Sequence, residues 1–349
     1  MRQLTYHEVG RVRWEDVPLP TLDGEGEALV RPIAVATCDL DTAIVRGGVF
    51  GGPLPLGHEC VAEVVDVGGS VGGFSPGRLV SVPFQISCGR CSRCTIGQTA
   101  HCESVPSQSA YGLPPRAAQW GGFLSDLVRV PYADQMLVPL PDGVDPAAAA
   151  SVSDNIVDAW RTVAPYLAED PRASVLVVGG GGPGSIGLYA SAIAVAMDAP
   201  KVVYVDTDER RLSIARDVGA EAVAGLPGER LGPFPITVDA SADPAGLALA
   251  VGSTGLDGVC TSTGIYFTND TPLPMFEAYV SGITFRTGRV HARPAMPAAL
   301  ELIAAGRVHP ELVTTRCTAW EEAPEALAEG EFVKLVFVRE AGSGAVDPA

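Results

Sequence analysis

Gly57-His58-Glu59 places an imidazole of metal-binding type beside a carboxylate, directly after a Pro-rich extended run. Downstream, four thiols crowd together as Cys88-x2-Cys91-x2-Cys94-x7-Cys102. Four thiolates at that spacing can surround one tetrahedral Zn²⁺ and leave it no open position, which is the chemistry of a structural site. Neither ferredoxin spacing fits them. Half of the eight cysteines fall within this one lobe, and the N-terminal residues MRQLTYHEVGRVRWEDVP do not read as a secretory signal. That distribution argues for metal rather than disulfides. His101, next to Cys102, reads as a surface residue.

A third constellation lies at residues 179–187. The apolar run Val175-Leu176-Val177-Val178 feeds Gly179-Gly180-Gly181-Gly182-Pro183-Gly184-Ser185-Ile186-Gly187. Two overlapping frames satisfy G-x-G-x-x-G, namely Gly179/Gly181/Gly184 and Gly182/Gly184/Gly187. An Ala-rich helix follows, then a second apolar strand, then Asp206, about 20 residues beyond the glycines as a dinucleotide fingerprint requires. In such a unit a pyrophosphate rests on the helix N-terminus, where glycines let the backbone approach it. Asp206 is placed to accept from the adenosine ribose hydroxyls and to repel a 2′-phosphate, which favours NAD over NADP. Arg210 and Arg211, just downstream, are the residues that would reverse this preference. Ser241 and Thr263, at two later strand ends, are expected to touch the cofactor.

Stepping outward, these groups need two kinds of scaffold. Residues 1–139 read as short strands broken by Gly and Pro, among them 28–35, 60–67 and 78–82, the pattern of a barrel-like β domain. From about 144 the pattern changes. Asp145-Pro146 opens a helix with proline in its first turn. Strands at 174–178, 201–205, 236–239, 258–262 and 282–286 alternate with helices at 187–197, 208–218, 244–251, 296–305 and 321–328, a doubly wound α/β arrangement. The tail from 341 is Gly/Ser/Ala/Asp-rich and expected to be disordered.

The 349 residues are enough for two domains. Net charge is −17 with no basic patch, which excludes nucleic acid as a partner. The most apolar long run, 186–197, is too short to span a membrane. A cytoplasmic chain is expected.

Taken together, these residues resemble the zinc-dependent medium-chain dehydrogenase/reductase family of alcohol, sorbitol and threonine dehydrogenases. Gly57-His58-Glu59 followed by Glu63-Val64-Val65-Asp66-Val67-Gly68 is similar to its zinc signature, the four-cysteine lobe to its structural zinc, and Val175 to Asp206 to its cofactor fold. Gly288-Arg289 and Ala292-Arg293-Pro294 resemble the segment that returns to the catalytic domain. The resemblance implies an α/β fold: a β-rich GroES-like catalytic domain of 1–150 and 285–349, and a Rossmann domain of 151–284, with the active site between them. It implies two zincs per chain, the catalytic one held by Cys38, His58 and Asp154, with Glu59 a ligand or near-ligand. It implies a homodimer or homotetramer acting on a small molecule. The expected activity is hydride transfer between NAD(H) and an alcohol or carbonyl, the zinc polarising the carbonyl.

Three departures stand out. Leu40 occupies the position, two residues after the cysteine, where the family carries a proton-relaying Ser or Thr; Thr37, Asp39, Asp41 and Thr42 are the nearby groups that could substitute. Ala62 replaces a usual Gly, and the glycine-rich turn is two or three residues long for the family. The first departure opens a second reading, an enoyl, iminium or biosynthetic reductase in which no alcohol proton is handled. A third reading is a non-catalytic homologue that only binds zinc and nucleotide.

Overall fold

The protein is described by a computed structural model covering residues 1–226 and 230–339. The Gly/Ser-rich tail from 341 lies outside the described residues. The strands, in chain order, are β1 (Arg2–Glu8), β2 (Arg11–Asp16), β3 (Ala28–Ala36), β4 (Leu54–Pro55), β5 (Glu59–Val67), β6 (Leu79–Val82), β7 (Val128–Val130) and β8 (Val138–Pro139). They continue with β9 (Val175–Val178), β10 (Val202–Asp206), β11 (Glu221–Ala224), β12 (Phe234–Asp239), β13 (Thr254–Ser262), β14 (Thr284–Arg286), β15 (Arg316–Ala319) and β16 (Leu335–Val338).

The chain divides into two compact units. The first comprises Met1–Asp154, His291–Ala304 and, among the described residues, 314–339; the second comprises Asn155–Val290 and Ala305–Val313. The crossings thus fall at 154/155 and 290/291, and nine residues after the helix Ala292–Ala304 pack with the second unit, an excursion the sequence did not suggest.

In the first unit, a seven-stranded sheet runs β15-β16-β3-β5-β6-β8, with β7 also on β3, beside a three-stranded β2-β1-β4 sheet. β3 and β5 form its centre and are buried at the paired ends Ala34–Ala36 and Glu59–Val61. Pro32 donates no ladder hydrogen bond, and the β3–β5 register shifts between Pro32 and Ala34 to absorb it. Ala62 sits opposite Pro32 and Val80, fully buried, so its methyl fills the centre of the sheet. β3 leads into the helix Asp39–Val45, and β5 begins at Glu59. The ends of these two central strands therefore deliver Cys38 and His58-Glu59.

The second unit is a six-stranded parallel sheet in the order β11-β10-β9-β12-β13-β14. β9 and β10 are buried along their whole length, as parallel strands covered on both faces must be. Chain order reverses between β10, β9 and β12, which puts the crevice for a ligand at the C-terminal end of β9. Among the described residues no helix is long and apolar enough to cross a membrane.

Candidate active site

Cys38 caps the helix Asp39–Val45. The Leu40 N–H donates to its Sγ at 3.3 Å, and the Cys38 N–H donates to Asp41 Oδ2 at 2.8 Å, closing a capping box. The box fixes the thiol and also buries Asp41, whose other oxygen stands 3.5 Å from His58 Nδ1. His58 Nε2 lies 3.5 Å from Asp154 Oδ2. His58 is fully buried and neither ring nitrogen has a hydrogen-bond partner. A satisfied structural histidine would not be left this way.

One donor atom from each of Cys38, His58, Glu59 and Asp154 lies within 4.8 Å of the others. The set is one sulfur, one nitrogen and two carboxylates, which suits zinc. The orphaned imidazole, the mixed donors and their convergence together fit a zinc ion, with Asp41 behind His58 as a ring-orienting carboxylate. The electrostatics agree. Burial opposes an imidazolium at His58, but Asp41, Asp154 and Cys38 outweigh it and raise its pKa well above the ordinary value. Burial pushes the Cys38 thiol up to about 11. It also pushes Glu59 up to about 7, against the pull of Lys334. The pocket concentrates negative charge and calls for a cation.

Lys334 supplies one. It is fully buried just before β16, its Nζ 2.9 Å from Glu59 Oε1 in a hydrogen bond and 2.8 Å from Oε2 without hydrogen-bond alignment. Nothing in the sequence pattern had singled it out. Asp41 carried a better signal, since Cys-x-x-Asp at a helix start is a capping box; it had been considered only as a proton carrier.

In the cysteine lobe the sulfurs of Cys88, Cys91, Cys94 and Cys102 also lie within 4.8 Å of one another. The Cys88 and Glu103 N–H groups donate to Cys102 and Cys91 Sγ at 3.3 and 3.4 Å, and Ser104 Oγ donates to Cys88 Sγ at 3.1 Å. Burial notwithstanding, hydrogen bonds from Ser104 and the backbone bring Cys88 down to about 6, while burial takes Cys94 up to about 12. Four sulfurs this close together suit one shared cation. His101 is exposed.

The glycine-rich turn runs from buried Gly179 through exposed Gly181 and Gly182 to buried Gly184, the N-cap of the helix Ser185–Ala196. A Cβ on Gly179 would lie 2.2 Å from the Tyr204 hydroxyl, and one on Gly181 (φ +53°) would lie 2.5 Å from the Ser241 carbonyl oxygen. Both positions therefore need glycine. Ser185 Oγ donates to Asn155 Oδ1 at 2.9 Å and leaves the helix N-terminus without a side-chain cap. Ile186 is half-buried and Gly187 buried. Ser241 Oγ donates to Asp239 Oδ1 at 2.6 Å, and Thr263 Oγ1 to the Asp239 carbonyl at 3.3 Å, so both sit at the β12 and β13 ends.

Asp206 differs from the simplest expectation. It is fully buried and accepts from Tyr204 Oη, from the Thr207 and Asp208 N–H groups, and from Arg211 Nε and Nη2, each at 2.6–2.9 Å. Arg211 also donates to the Gly182 carbonyl at 2.9 Å. The carboxylate expected to face a ribose is thus neutralised by a guanidinium, while Arg210 is exposed.

With this geometry in place, comparison with known proteins is informative. Residues 24–142 match the alcohol dehydrogenase GroES-like domain, and residues 185–305 match the zinc-binding dehydrogenase domain. The chain is 30% identical over 227 residues to the medium chain reductase/dehydrogenase ucsI of Acremonium sp, spanning 63% of this chain and 74% of that protein. It is 33% identical over 252 residues to the glutathione-independent formaldehyde dehydrogenase of Bacillus subtilis (strain 168), but the match spans only 61% of that relative and 66% of this chain. Among solved structures, the alcohol dehydrogenase TADH from Thermus sp. ATN1 is similar with a TM-score of 0.86 and 28% identity, over 97% of this chain and 100% of that one. The chain belongs to the zinc-dependent medium-chain dehydrogenase/reductase family.

Proposed function

We propose that this chain is a zinc-dependent oxidoreductase that moves hydride between NAD(H) and an alcohol or carbonyl substrate. The observation that carries this is the buried convergence of Cys38, His58, Glu59 and Asp154 within 4.8 Å around an imidazole with no hydrogen-bond partner. Cys38, His58 and Asp154 would hold the metal, with Glu59 beside them, and the four cysteines would hold a second, structural zinc. When bound, zinc supplies Lewis acidity that polarises a carbonyl. Asp41 orients the His58 ring. The uncapped helix N-terminus at Ser185 offers N–H groups to a pyrophosphate.

NAD is the cofactor we favour. The Arg211 donors are engaged by Asp206 and the Gly182 carbonyl, so they are not offered to a 2′-phosphate. Because Arg211 also cancels the Asp206 charge, discrimination against NADP should be modest.

A second reading is favoured by one position. Leu40 carries no hydroxyl, and Thr37, the adjacent hydroxyl, is buried and bonded to the Leu335 backbone through both its donor and acceptor. An enzyme of this design would suit reduction of an activated C=C or C=N bond, where no alcohol proton is relayed. Steady-state assays decide between them, with NAD⁺ for alcohols and with NADH for aldehydes, alkenes and iminium ions. Turnover of aldehydes and simple alcohols supports the first reading; turnover confined to electron-poor alkenes or iminium ions supports the second, and absence of turnover with two zincs bound would leave a non-catalytic binder.

The working form we propose is a homo-oligomer built through the β14 edge. The helix Met275–Ser281 has no buried residue, and Met275, Phe276, Tyr279, Val280 and Phe285 are all exposed beside an edge strand. A second copy can both pair that edge and cover that apolar face. Free thiols throughout the described chain and the acidic surface suit a reducing, cytoplasmic setting.

A further inference from the structure

Asp206 ends β10 as a carboxylate with no acceptor position to spare. Its Oδ1 accepts from the Thr207 and Asp208 N–H groups at 2.7 and 2.9 Å and from Arg211 Nη2 at 2.8 Å. Its Oδ2 accepts from Tyr204 Oη at 2.6 Å and from Arg211 Nε at 2.8 Å. These five bonds already fill the roughly four lone-pair sites of a carboxylate. A ribose finds nothing to bond here unless a donor leaves.

The donors are not equally fixed. Two are backbone groups. Tyr204 is fully buried against Gly179, where a Cβ would stand 2.2 Å from its hydroxyl. Arg211 keeps an exposure of 9% and sits at the end of a long rotatable stem. Its Nε and Nη2 give two parallel N–H bonds, one to each carboxylate oxygen. A vicinal diol gives a carboxylate the same pattern, one O–H to each oxygen. The guanidinium therefore stands where the 2′- and 3′-hydroxyls of an adenosine ribose would bind. It also holds the turn on which a pyrophosphate would rest. Nη1 donates to the Gly182 carbonyl at 2.9 Å, and a Cβ on Gly184 would lie 2.9 Å from Arg211 Cδ.

We propose that Arg211 is a built-in competitor of the adenosine ribose: its guanidinium mimics the diol, holds Asp206 closed, and must be displaced before that carboxylate can read a cofactor. This rests on the reading of the second unit as the nucleotide site. A site that is open for only part of the time binds with an affinity lowered by that fraction. The wild-type chain therefore draws little benefit from the ribose hydroxyls, and removing the competitor restores it.

AMP and 2′-deoxy-AMP differ by one ribose hydroxyl, so calorimetric titration with each reads the diol without turnover, metal or nicotinamide. In the wild-type chain the two bind within about threefold of each other. In Arg211→Ala, AMP tightens about tenfold and 2′-deoxy-AMP less than about threefold, because only the full diol bridges both oxygens. Loss of a positive charge or a looser turn would move both ligands alike, so the ratio is the readout. Arg211→Lys keeps the charge without the fork and gives a ratio between the two. An unchanged ratio in Arg211→Ala overturns the proposal, as does a wild-type chain that already prefers AMP about tenfold. If Arg211→Ala does not fold, Arg211→Lys carries the test: a ratio above wild type supports the role, and an equal ratio overturns it. Failure of both ligands to bind wild type and variants at millimolar concentration overturns the nucleotide site itself. That result is distinguishable, because it removes both affinities rather than leaving their ratio unchanged.

Discussion

Asp154 is the residue on which the metal assignment can be tested most directly. Its carboxylate stands 3.5 Å from His58 Nε2. Asp154→Asn should lower zinc from two to one per chain and reduce kcat/KM on the order of a thousandfold, while the thermal midpoint moves little; metal analysis alongside kinetics checks it. Arg211→Ala should expose the Asp206 charge and strengthen the preference for NAD over NADP by roughly tenfold, about 1.4 kcal/mol, read from the ratio of kcat/KM values. Improved use of NADP by that variant would contradict it. The same pair has a pH signature. Burial raises the Asp206 pKa, but Arg211 and Tyr204 outweigh it and the folded value lies below the ordinary one. A depressed folded pKa gives stability that is present above the unfolded value, about 3.9, and lost as pH falls toward the folded one. The gap in thermal midpoint between wild type and Arg211→Met should therefore narrow below about pH 4. Residues joined by local spacing were legible: Gly57-His58-Glu59, the cysteine lobe, the glycines. The capping contact of Asp41 and the whole of Lys334 were not read, because the first needs the helix start to be placed and the second meets its partner 275 residues away from within an apolar run.

At the scale of elements, β9 and β10 were readable because parallel strands covered on both faces are continuous apolar runs, and β12 and β13 were readable in their buried C-terminal halves. Others were hidden for identifiable reasons. The helix after β14 starts at Ala292, not 296 as expected, since Pro294 falls in its first turn, where its missing N–H costs nothing. The helix Asn155–Glu169 contains Pro165 and so broke its own pattern. β15 alternates half-buried and exposed positions over only four residues, too short a signal to register. The cysteine lobe is built from one four-residue helix and one 3₁₀ turn, with little apolar contact beyond Val105 and Tyr132. Its order should depend on metal. Structural zinc contributes roughly 10–16 kcal/mol of binding energy in peptides, so Cys94→Ser should unfold residues around 88–102 and lower the midpoint by several degrees, visible as faster amide exchange confined to that lobe. Unchanged protection there would refute a structural zinc.

For the molecule as a whole, the proposed assembly would use the exposed face of the helix Met275–Ser281 and the edge strand β14. Phe276→Asp combined with Val280→Asp changes only exposed side chains, so the fold should persist while the mass in solution drops to that of one chain. Light scattering after size exclusion measures this, and a wild-type chain already monomeric at micromolar concentration would exclude the interface.

The burial of Lys334 against Glu59 also governs the order in which the protein can be completed. The four cysteines of the lobe span fifteen consecutive residues, so the structural zinc proposed there would be captured as soon as that stretch leaves the ribosome. The other centre cannot be charge-balanced until β16 docks on β3, where Leu335 bonds Thr37 across 298 residues. Such late, long-range closure is the slow part of folding. On the proposed metal assignment, a chain interrupted before Lys334 would hold the first metal and leave the second site an uncompensated cluster of acids, so that docking of β16 would act as a checkpoint for maturation.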